Sequence, residues 1–279
     1  MTAQTEVTDG WPAPGPLTLL AWTNIILGIS AAAFTWVTSL TLHRPGDPLI
    51  AAFAFLFISG SYTRDRLDPA DTDNSPRAAW IAQHRRHLNW WTIACGAALL
   101  PVTVLRPWCA TVVVLVGTMA WLYTAPLIPR RGRRLAVRQL PGVKLPYTMA
   151  GWLAIAVFLP AVQQHLLSDP RTWYFAVAGV LIGGVTGLLN DLRDVQTDVL
   201  AGTSSLPVLL GERRTRIAAY GMAVCGAAVG QLVLPLPTVL WAAYNSGVLA
   251  SYRPRSGRYP RPWGDAQGLV LLAAALLTR

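Results

Sequence analysis

The sequence predicts an all-α membrane protein with about nine transmembrane helices, and three observations predict this fold class. Hydrophobic residues make up 53% of the 279 residues, whereas charged residues make up only 13%. The mean hydropathy of the chain is positive. The apolar residues are gathered into runs close to the length of ~20 residues that a helix needs to cross a bilayer, and polar segments separate these runs.

Nine apolar runs follow one another and are expected to form a single transmembrane domain over residues 17–279. Runs somewhat shorter or longer than the bilayer thickness are accommodated by tilting or by local thinning of the bilayer. Two connections are very short and contain proline, so we expect tight hairpins between the third and fourth helices and between the seventh and eighth. The runs are 17–42, 47–62, 89–105, 107–128, 144–165, 172–190, 216–234, 236–252 and 263–278.

The distribution of positive charge predicts the orientation of these helices. If the N-terminus lies in the cytosol, the cytosolic loops carry nineteen of the 23 Lys and Arg residues. Such an excess is typical of the cytosolic loops of membrane proteins. We therefore expect a multi-pass protein of the cytoplasmic membrane with cytosolic cap loops at 63–88, 129–143 and 191–215. Residues 1–16 contain no Lys, no Arg and no apolar run, which predicts a disordered cytosolic tail.

The net charge and the cysteines exclude other classes of protein. The formal net charge is +10, but the basic residues lie in short clusters between apolar runs, so we expect membrane lipid and no nucleic acid as a partner. Cys95, Cys109 and Cys225 all fall within apolar runs and have no C-x-x-C spacing. They indicate neither a disulfide framework nor a zinc site.

Three carboxylates at the end of the sixth run are the first indication of chemistry. The apolar run ends at Asn190, and Asp191, Asp194 and Asp198 follow it. On one continuous helix this spacing places all three carboxylates on one face. Like charges so close together need a positive partner, and Mg²⁺ is commonly held by one or two carboxylates together with substrate phosphates. The alternative is an ordinary solvated helix end.

A second acidic cluster follows the second run and is expected at the same end of the bundle. Asp65 and Asp68 lie about one turn apart, and Pro69 predicts a helix break that leaves Asp71 and Asp73 in a loop. The two clusters contain seven of the thirteen acidic residues of the chain. If the two helix ends face each other, the carboxylates form a rim suited to more than one Mg²⁺ and a bridging diphosphate.

The motifs around these carboxylates resemble those of the UbiA superfamily of intramembrane prenyltransferases. The segment NDLRDVQTD followed by SSLPVLLG resembles the second aspartate motif of that superfamily, and RQLPGVK and YTAP resemble other segments of it. The first motif departs from that of the better-known members, because Ser61 and Pro69 stand four residues before and after Asp65. The segment YTRDRLDPADTDNSPR is similar instead to a less characterised branch of the superfamily, which also includes terpene cyclases.

This resemblance implies a fold, a reaction and a set of metal ligands. The fold is nine helices around a central cavity, and the reaction is the Mg²⁺-assisted loss of diphosphate from an isoprenyl diphosphate, which gives an allylic cation. One Mg²⁺ is expected on Asp191, Asp194 and Asp198. The other is expected on Asp65 and Asp68, with Asp73 or Asp71 as a further ligand.

Basic and polar side chains near the carboxylates are candidates for binding the diphosphate. Guanidinium and ammonium groups stabilise the charge that develops on a leaving diphosphate, although an arginine beside a membrane also has a topological role. Asn190 either joins the site through its amide oxygen or caps the segment. The basic candidates are Arg77, Arg85, Arg86 and Lys144.

Two tyrosines are expected to line the cavity. An allylic cation needs a dry cavity with electron-rich walls. Tyr62 and Tyr123 stand at the cytosolic ends of predicted helices, near the carboxylates.

Three functions are compatible with these features. The favoured one is transfer of the prenyl group to a hydrophobic acceptor. The first alternative is a terpene cyclase, in which the double bonds of the substrate capture the cation. The second alternative is a non-catalytic membrane transporter or scaffold, although transporters place ionisable groups near the bilayer midplane.

Overall fold

A computed structural model describes residues 15–67, 76–130, 133–200, 202–252 and 261–278. Within these residues the protein is a bundle of helices with one short β-hairpin. The helices are α1 Pro16–Trp22, α2 Ile25–Thr41, α3 Pro48–Asp65, α4 Pro76–Gln83, α5 Arg85–Leu105, α6 Pro107–Thr124, α7 Lys144–Leu153, α8 Leu159–Gln163, α9 Pro170–Arg193, α10 Val195–Leu200, α11 Leu206–Leu210, α12 Glu212–Gly230, α13 Pro235–Ser251, α14 Arg261–Asp265 and α15 Gln267–Leu277. A π-helical turn, Ala154–Phe158, joins α7 to α8.

Each predicted apolar run is mostly helical in the described residues, but the predicted number of nine membrane crossings is not confirmed. Four helical segments of the described chain are long and apolar enough to cross a bilayer, and the bent pair α1 and α2 would make a fifth. This is consistent with an all-α membrane protein. The four segments are Arg85–Leu105, Pro107–Thr124, Lys144–Gln163 and Pro170–Arg193.

The first predicted helix, 17–42, is broken near its start. Asn24 adopts the left-handed conformation with φ of 57°, and α1 makes an angle of 72° with α2. Asn24 is buried, and its Nδ2 donates a hydrogen bond to Thr63 Oγ1 over 3.2 Å. Thr63 Oγ1 in turn donates to the Thr23 carbonyl oxygen over 3.1 Å. Asparagine tolerates the left-handed conformation better than most residues do, and this turn fastens α1 to the end of α3.

The three predicted cap loops contain regular structure. The loop predicted at 63–88 includes the end of α3, all of α4 and the start of α5, whereas residues 68–75 lie outside the described chain. In the second loop, strand β1 (Pro126–Arg130) pairs antiparallel with strand β2 (Arg133–Ala136), so the fourth predicted helix ends earlier than expected. The loop predicted at 191–215 includes α10 and α11. These elements are too short or too polar to form the apolar runs on which the prediction was based.

Close packing of α7 against α9 positions the site. A Cβ atom on Gly187 of α9 would lie 2.6 Å from Leu145 Cδ1 of α7, so a larger residue at position 187 would require the Leu145 side chain to move. The core around α9 also contains Phe175, Ile182 and Trp241, all of which are almost fully buried. The start of α7 is thereby held beside the acidic end of α9.

Candidate active site

A cavity of about 440 Å³ lies inside the bundle and has one charged region and one apolar region. Residues from α2, α3, α6, α7, α9, α13, α14 and α15 line it, together with the π-helical turn and residues flanking α3 and α9. The charged region contains Asp65, Arg66, Lys144, Asp191, Arg193 and Asp194, and the apolar region contains Phe34, Met149, Trp152, Phe175 and Trp241. Such a cavity has room for a substrate with an anionic head and a hydrocarbon tail.

Lys144 connects two of the predicted carboxylates. Its Nζ atom lies 3.0 Å from Asp191 Oδ1 and 2.8 Å from Asp198 Oδ1. Both aspartates are buried, with 4% and 7% of their surface exposed. Because a buried carboxylate is unstable without a partner, the ammonium group of Lys144 stabilises both aspartates at this position.

The prediction that Asp191, Asp194 and Asp198 share one face of a continuous helix is wrong. Helix α9 ends at Arg193, Asp194 is its C-cap with φ of −92° and ψ of 11°, and Asp198 lies on α10. The spacing of the three residues is helical, but the backbone leaves the helical conformation at Asp194. Asp191 and Asp198 nevertheless lie close together, because both contact the Nζ atom of Lys144.

Asp194 is paired with its neighbour Arg193. Two guanidinium nitrogens of Arg193, Nε and Nη2, donate to the two carboxylate oxygens of Asp194, each over 2.5 Å. Burial raises the pKa of Asp194, but the hydrogen bonds and charge of Arg193, with the charges of Arg66 and Lys144, outweigh burial and lower the pKa below its ordinary value. Asp194 is therefore ionised at neutral pH and faces the cavity.

The first acidic cluster reaches the same cavity through Asp65. Asp65 is the last residue of α3 and lines the cavity together with Asp191 of α9. Asp68, Asp71 and Asp73 lie outside the described residues, so their part in the site stays a prediction. The two helix ends that the sequence predicted to face each other thus contribute carboxylates to one cavity.

The described residues fit a cation only in part. Among them, no group of three His, Cys, Asp or Glu side chains is arranged so that it could hold a metal ion. However, Asp191 Oδ2 is buried, and no hydrogen-bond donor within the described chain reaches it. A buried carboxylate oxygen of this kind suits a hard cation such as Mg²⁺. Among the described carboxylates, Asp191 would hold it through Oδ2, and Asp65 and Asp194 line the same cavity.

The basic residues around the cavity differ from those expected. Of the predicted diphosphate ligands, Lys144 and Asn190 line the cavity. The other three, Arg77, Arg85 and Arg86, are not part of its wall as far as the structure describes it. Arg85 donates through Nη2 to the Leu67 carbonyl oxygen over 3.0 Å, which stabilises the turn after α3.

Two other arginines line the cavity instead, and sequence reasoning assigned them only a topological role. The two arginines are Arg66 and Arg193. Each adjoins a predicted metal ligand, Asp65 or Asp194. This adjacency was the signal that could have identified them.

Both predicted tyrosines line the cavity. Trp152 Nε1 donates a hydrogen bond to the hydroxyl oxygen of Tyr62 over 3.0 Å. Tyr123 stacks on Tyr147, with ring centroids 5.0 Å apart, and the Tyr147 hydroxyl donates to the Met119 carbonyl oxygen. These contacts fix the two rings at the cavity wall.

One carboxylate in the cavity wall was not predicted at all. Asp265, at the end of α14, is 4% exposed and lines the cavity beside Gln267. It is a single acidic residue at the start of an apolar run, so no spacing or motif distinguished it from a helix end.

Comparisons with known proteins agree with the motifs of the sequence. A model of the UbiA prenyltransferase family matches residues 64–261, which include both acidic clusters and Lys144. A protein of Mycobacterium tuberculosis (strain ATCC 25618 / H37Rv), named 1,4-dihydroxy-2-naphthoate octaprenyltransferase, is 31% identical over 202 residues. The match covers 66% of this chain and 63% of the relative, so the chain spans a little less than two thirds of the relative's length. No solved structure matches the chain.

Proposed function

Because the chain belongs to the UbiA prenyltransferase family, we propose that it is a Mg²⁺-dependent enzyme that transfers the prenyl group of an isoprenyl diphosphate to a hydrophobic acceptor. The observation that carries this proposal is the presence of Asp65 and Asp191 in the wall of one cavity that also has a long apolar region. The proposed site lies at the cytosolic face of the cytoplasmic membrane, in keeping with the excess of Lys and Arg in the loops on that side.

The charged region of the cavity binds the diphosphate in this proposal. Mg²⁺ held by Asp191 Oδ2, in the cavity that Asp65 and Asp194 also line, would supply positive charge to the diphosphate oxygens. Arg66, Lys144 and Arg193 place fixed positive groups in the same region. Preorganised charges of this kind stabilise negative charge as it develops on a leaving group.

The apolar region binds the prenyl chain and protects the cation. When the bond between C1 of the prenyl group and the diphosphate oxygen breaks, the diphosphate leaves with the electron pair. The positive charge left on the allylic carbons is stabilised by the faces of aromatic rings. Tyr62, Tyr123, Trp152 and Trp241 supply such rings in the cavity wall, and the apolar surroundings exclude water that would otherwise quench the cation.

The relative from Mycobacterium tuberculosis is named as a prenyltransferase. This name favours transfer to an acceptor over cyclisation. Cyclisation of the same cation is the second candidate. It is supported by the altered first motif, in which Ser61 lines the cavity four residues before Asp65. Both reactions share the loss of diphosphate and every ligand assignment above.

Product analysis tests the proposal and separates the two reactions. The purified full chain in lipid nanodiscs is incubated with Mg²⁺ and C10, C15 or C20 isoprenyl diphosphates, with and without 1,4-dihydroxy-2-naphthoate as the first acceptor. We expect diphosphate release that EDTA abolishes and a prenylated acceptor. If a cyclic hydrocarbon or alcohol forms without acceptor, the reaction is cyclisation and not transfer. The absence of release with all three substrates would contradict the proposal and favour a transporter or scaffold.

A further inference from the structure

A second cavity lies at the opposite end of the bundle from the charged region of the central cavity. Its wall includes His43 and Arg44 in the turn before α3, whereas Asp65 ends α3 beside the central cavity. The 18 residues of α3 span about 27 Å at roughly 1.5 Å per residue, which is close to the thickness of the hydrocarbon core of a bilayer. The second cavity therefore lies at the level of the lipid headgroups in the leaflet opposite the charged region.

This second cavity is a groove of about 790 Å³ with an apolar wall. It lies between the end of α2, the turn that joins α12 to α13, and the end of α15, and we call it the α2–α13 groove. Leu232 and Leu277, which adjoin groove residues in the sequence, are 63% and 87% exposed. Exposed apolar side chains around a groove are typical of a surface that contacts lipid. The apolar wall consists of Leu40, Val233, Leu234, Leu236 and Ala275.

The groove offers positive charge to a ligand. Arg44 and His43 line it, and no Asp or Glu stands among the described residues of its wall. The hydroxyl groups of Thr41 and Thr278, which also line it, donate to carbonyl oxygens of their own helices, each over 2.9 Å. The guanidinium group of Arg44 and the ring of His43 are therefore the side-chain donors of the described wall that can bind a ligand.

Arg44 has no acidic partner in the described part of the chain. At the same end of the bundle, Arg106 Nε lies 2.8 Å from Asp47 Oδ2, and Arg171 Nε lies 3.4 Å from Asp169 Oδ1. Asp47 also caps α3, so the acidic residue nearest to Arg44 in the sequence is already engaged. A guanidinium group in this position attracts an anion from outside the chain.

The turn that carries Arg44 is fixed by its own packing. His43 adopts the left-handed conformation with φ of 55°, and the backbone nitrogen of Arg44 donates to the Ser39 carbonyl oxygen over 2.9 Å. This pattern closes many helix ends, usually with a glycine at the position that His43 occupies here. A Cβ on Gly46 would lie 2.3 Å from the ring of Trp36, so the turn packs closely against α2. A preformed turn loses less entropy when a ligand binds.

We propose that the α2–α13 groove binds an anionic phospholipid, with the phosphate on Arg44 and His43 and one acyl chain along the apolar wall. A guanidinium group binds phosphate oxygens through two parallel hydrogen bonds, and burial of an acyl chain favours a lipid over a free phosphate ion. A zwitterionic lipid brings its own cation close to Arg44 and is disfavoured. This site goes beyond the proposed prenyl transfer and does not depend on it, because the length of α3 separates the two.

The test compares phosphatidylglycerol with phosphatidylcholine of the same acyl chains. The full chain in detergent micelles is titrated with each lipid, and native mass spectrometry gives the dissociation constant of the first lipid bound. We expect phosphatidylglycerol to bind more tightly than phosphatidylcholine. The rise in the midpoint of thermal unfolding that phosphatidylglycerol produces is a second readout. It is measured against each variant's own midpoint, so a general loss of stability does not imitate it.

Two variants and one control connect this binding to Arg44. Arg44→Gln should weaken the binding of phosphatidylglycerol about tenfold, as the loss of a charged hydrogen bond predicts. Arg44→Lys should weaken it less, because lysine keeps the charge but not the paired hydrogen bonds. The control is Arg171→Gln, which removes one positive charge from the same end of the bundle and keeps the backbone hydrogen bond to Asp169. It should change the dissociation constant by less than about twofold.

A variant of the apolar wall and a soluble competitor test whether the ligand is a lipid. Leu236 is 52% exposed, so Leu236→Asn should fold, and it should weaken both lipids by removing contact with the acyl chain. Glycerol 3-phosphate, which has the phosphate without the chains, should not displace phosphatidylglycerol even in large excess. Its displacement of the lipid would show a site for a free anion and would overturn the proposal. Equal losses for Arg44→Gln and Arg171→Gln, or no loss for either, would also overturn it.

Discussion

The Nζ atom of Lys144 lies 3.0 Å from Asp191 Oδ1, where the start of α7 meets the end of α9. The same ammonium group contacts Asp198, so one lysine joins two buried carboxylates from α9 and α10. The sequence predicted that positive charge must sit among these aspartates, and part of that charge belongs to the protein itself. In the proposed function, Mg²⁺ would therefore bind beside a cation that is already in place.

Replacement of Lys144 by Gln should destabilise the protein. Without the ammonium group, Asp191 and Asp198 are left buried with like charges and no counter-ion, and breaking a buried pair of this kind costs about 3–5 kcal/mol. Since Lys144 itself is partly exposed, we expect the lower end of that range. The midpoint of thermal unfolding in EDTA measures the effect. Lys144→Arg keeps the charge and is the matched control, and an unchanged midpoint for Lys144→Gln would refute the pairing.

Arg66 should matter more for substrate binding than Arg86. Arg66 lines the cavity, whereas Arg86 is exposed on α5. Loss of a charged hydrogen-bonding partner of the diphosphate weakens binding by about tenfold or more. We expect Arg66→Gln to raise the KM for the isoprenyl diphosphate by that factor and Arg86→Gln to change it by less than about twofold. A larger rise in KM for Arg86→Gln than for Arg66→Gln would contradict this prediction and support Arg86 as the diphosphate ligand.

Gly268 should not tolerate a methyl group. A Cβ at this position would lie 2.2 Å from the backbone oxygen of Ser30, and that oxygen belongs to the interior of α2. Overpacking of this kind costs about 1–3 kcal/mol, so Gly268→Ala should lower the midpoint of thermal unfolding by several degrees. Gly247→Ala is the control, because no atom lies within 4 Å of its Cβ position. An equal effect of both substitutions would contradict the close approach of α15 to α2.

Much of the fold could be predicted from the sequence, because apolar runs of this length are helical in most settings. The family assignment drawn from the segment NDLRDVQTD is also confirmed by the match to the family model. The helix breaks could not be predicted in the same way. At Asn24 the break depends on a hydrogen bond to Thr63, which is distant in sequence. At Asp194 the spacing of the aspartates continues the helical pattern although the backbone does not.

Residues of the cavity wall could be predicted where charge is clustered in the sequence, and they were missed where it is isolated. Asp65, Asp191 and Lys144 belong to motifs, and they line one cavity. Asp265 belongs to no motif, and only the packing of α14 and α15 against α2 and α13 brings it to the cavity. Arg66 and Arg193 lie beside predicted ligands, but an arginine at a membrane surface has a topological explanation that conceals any other role.

The central claim is that Asp65 and Asp191 act on one diphosphate, and a double-mutant cycle tests it most directly. Diphosphate release is measured in Mg²⁺ under excess enzyme for Asp65→Asn, Asp191→Asn and the double variant, with Asp169→Asn as the control. We expect each single substitution to slow release by about 100-fold. The double variant should be little slower than the slower single variant, because groups that act as one unit are not additive. Effects that multiply, or release that either substitution leaves unchanged, would contradict the account.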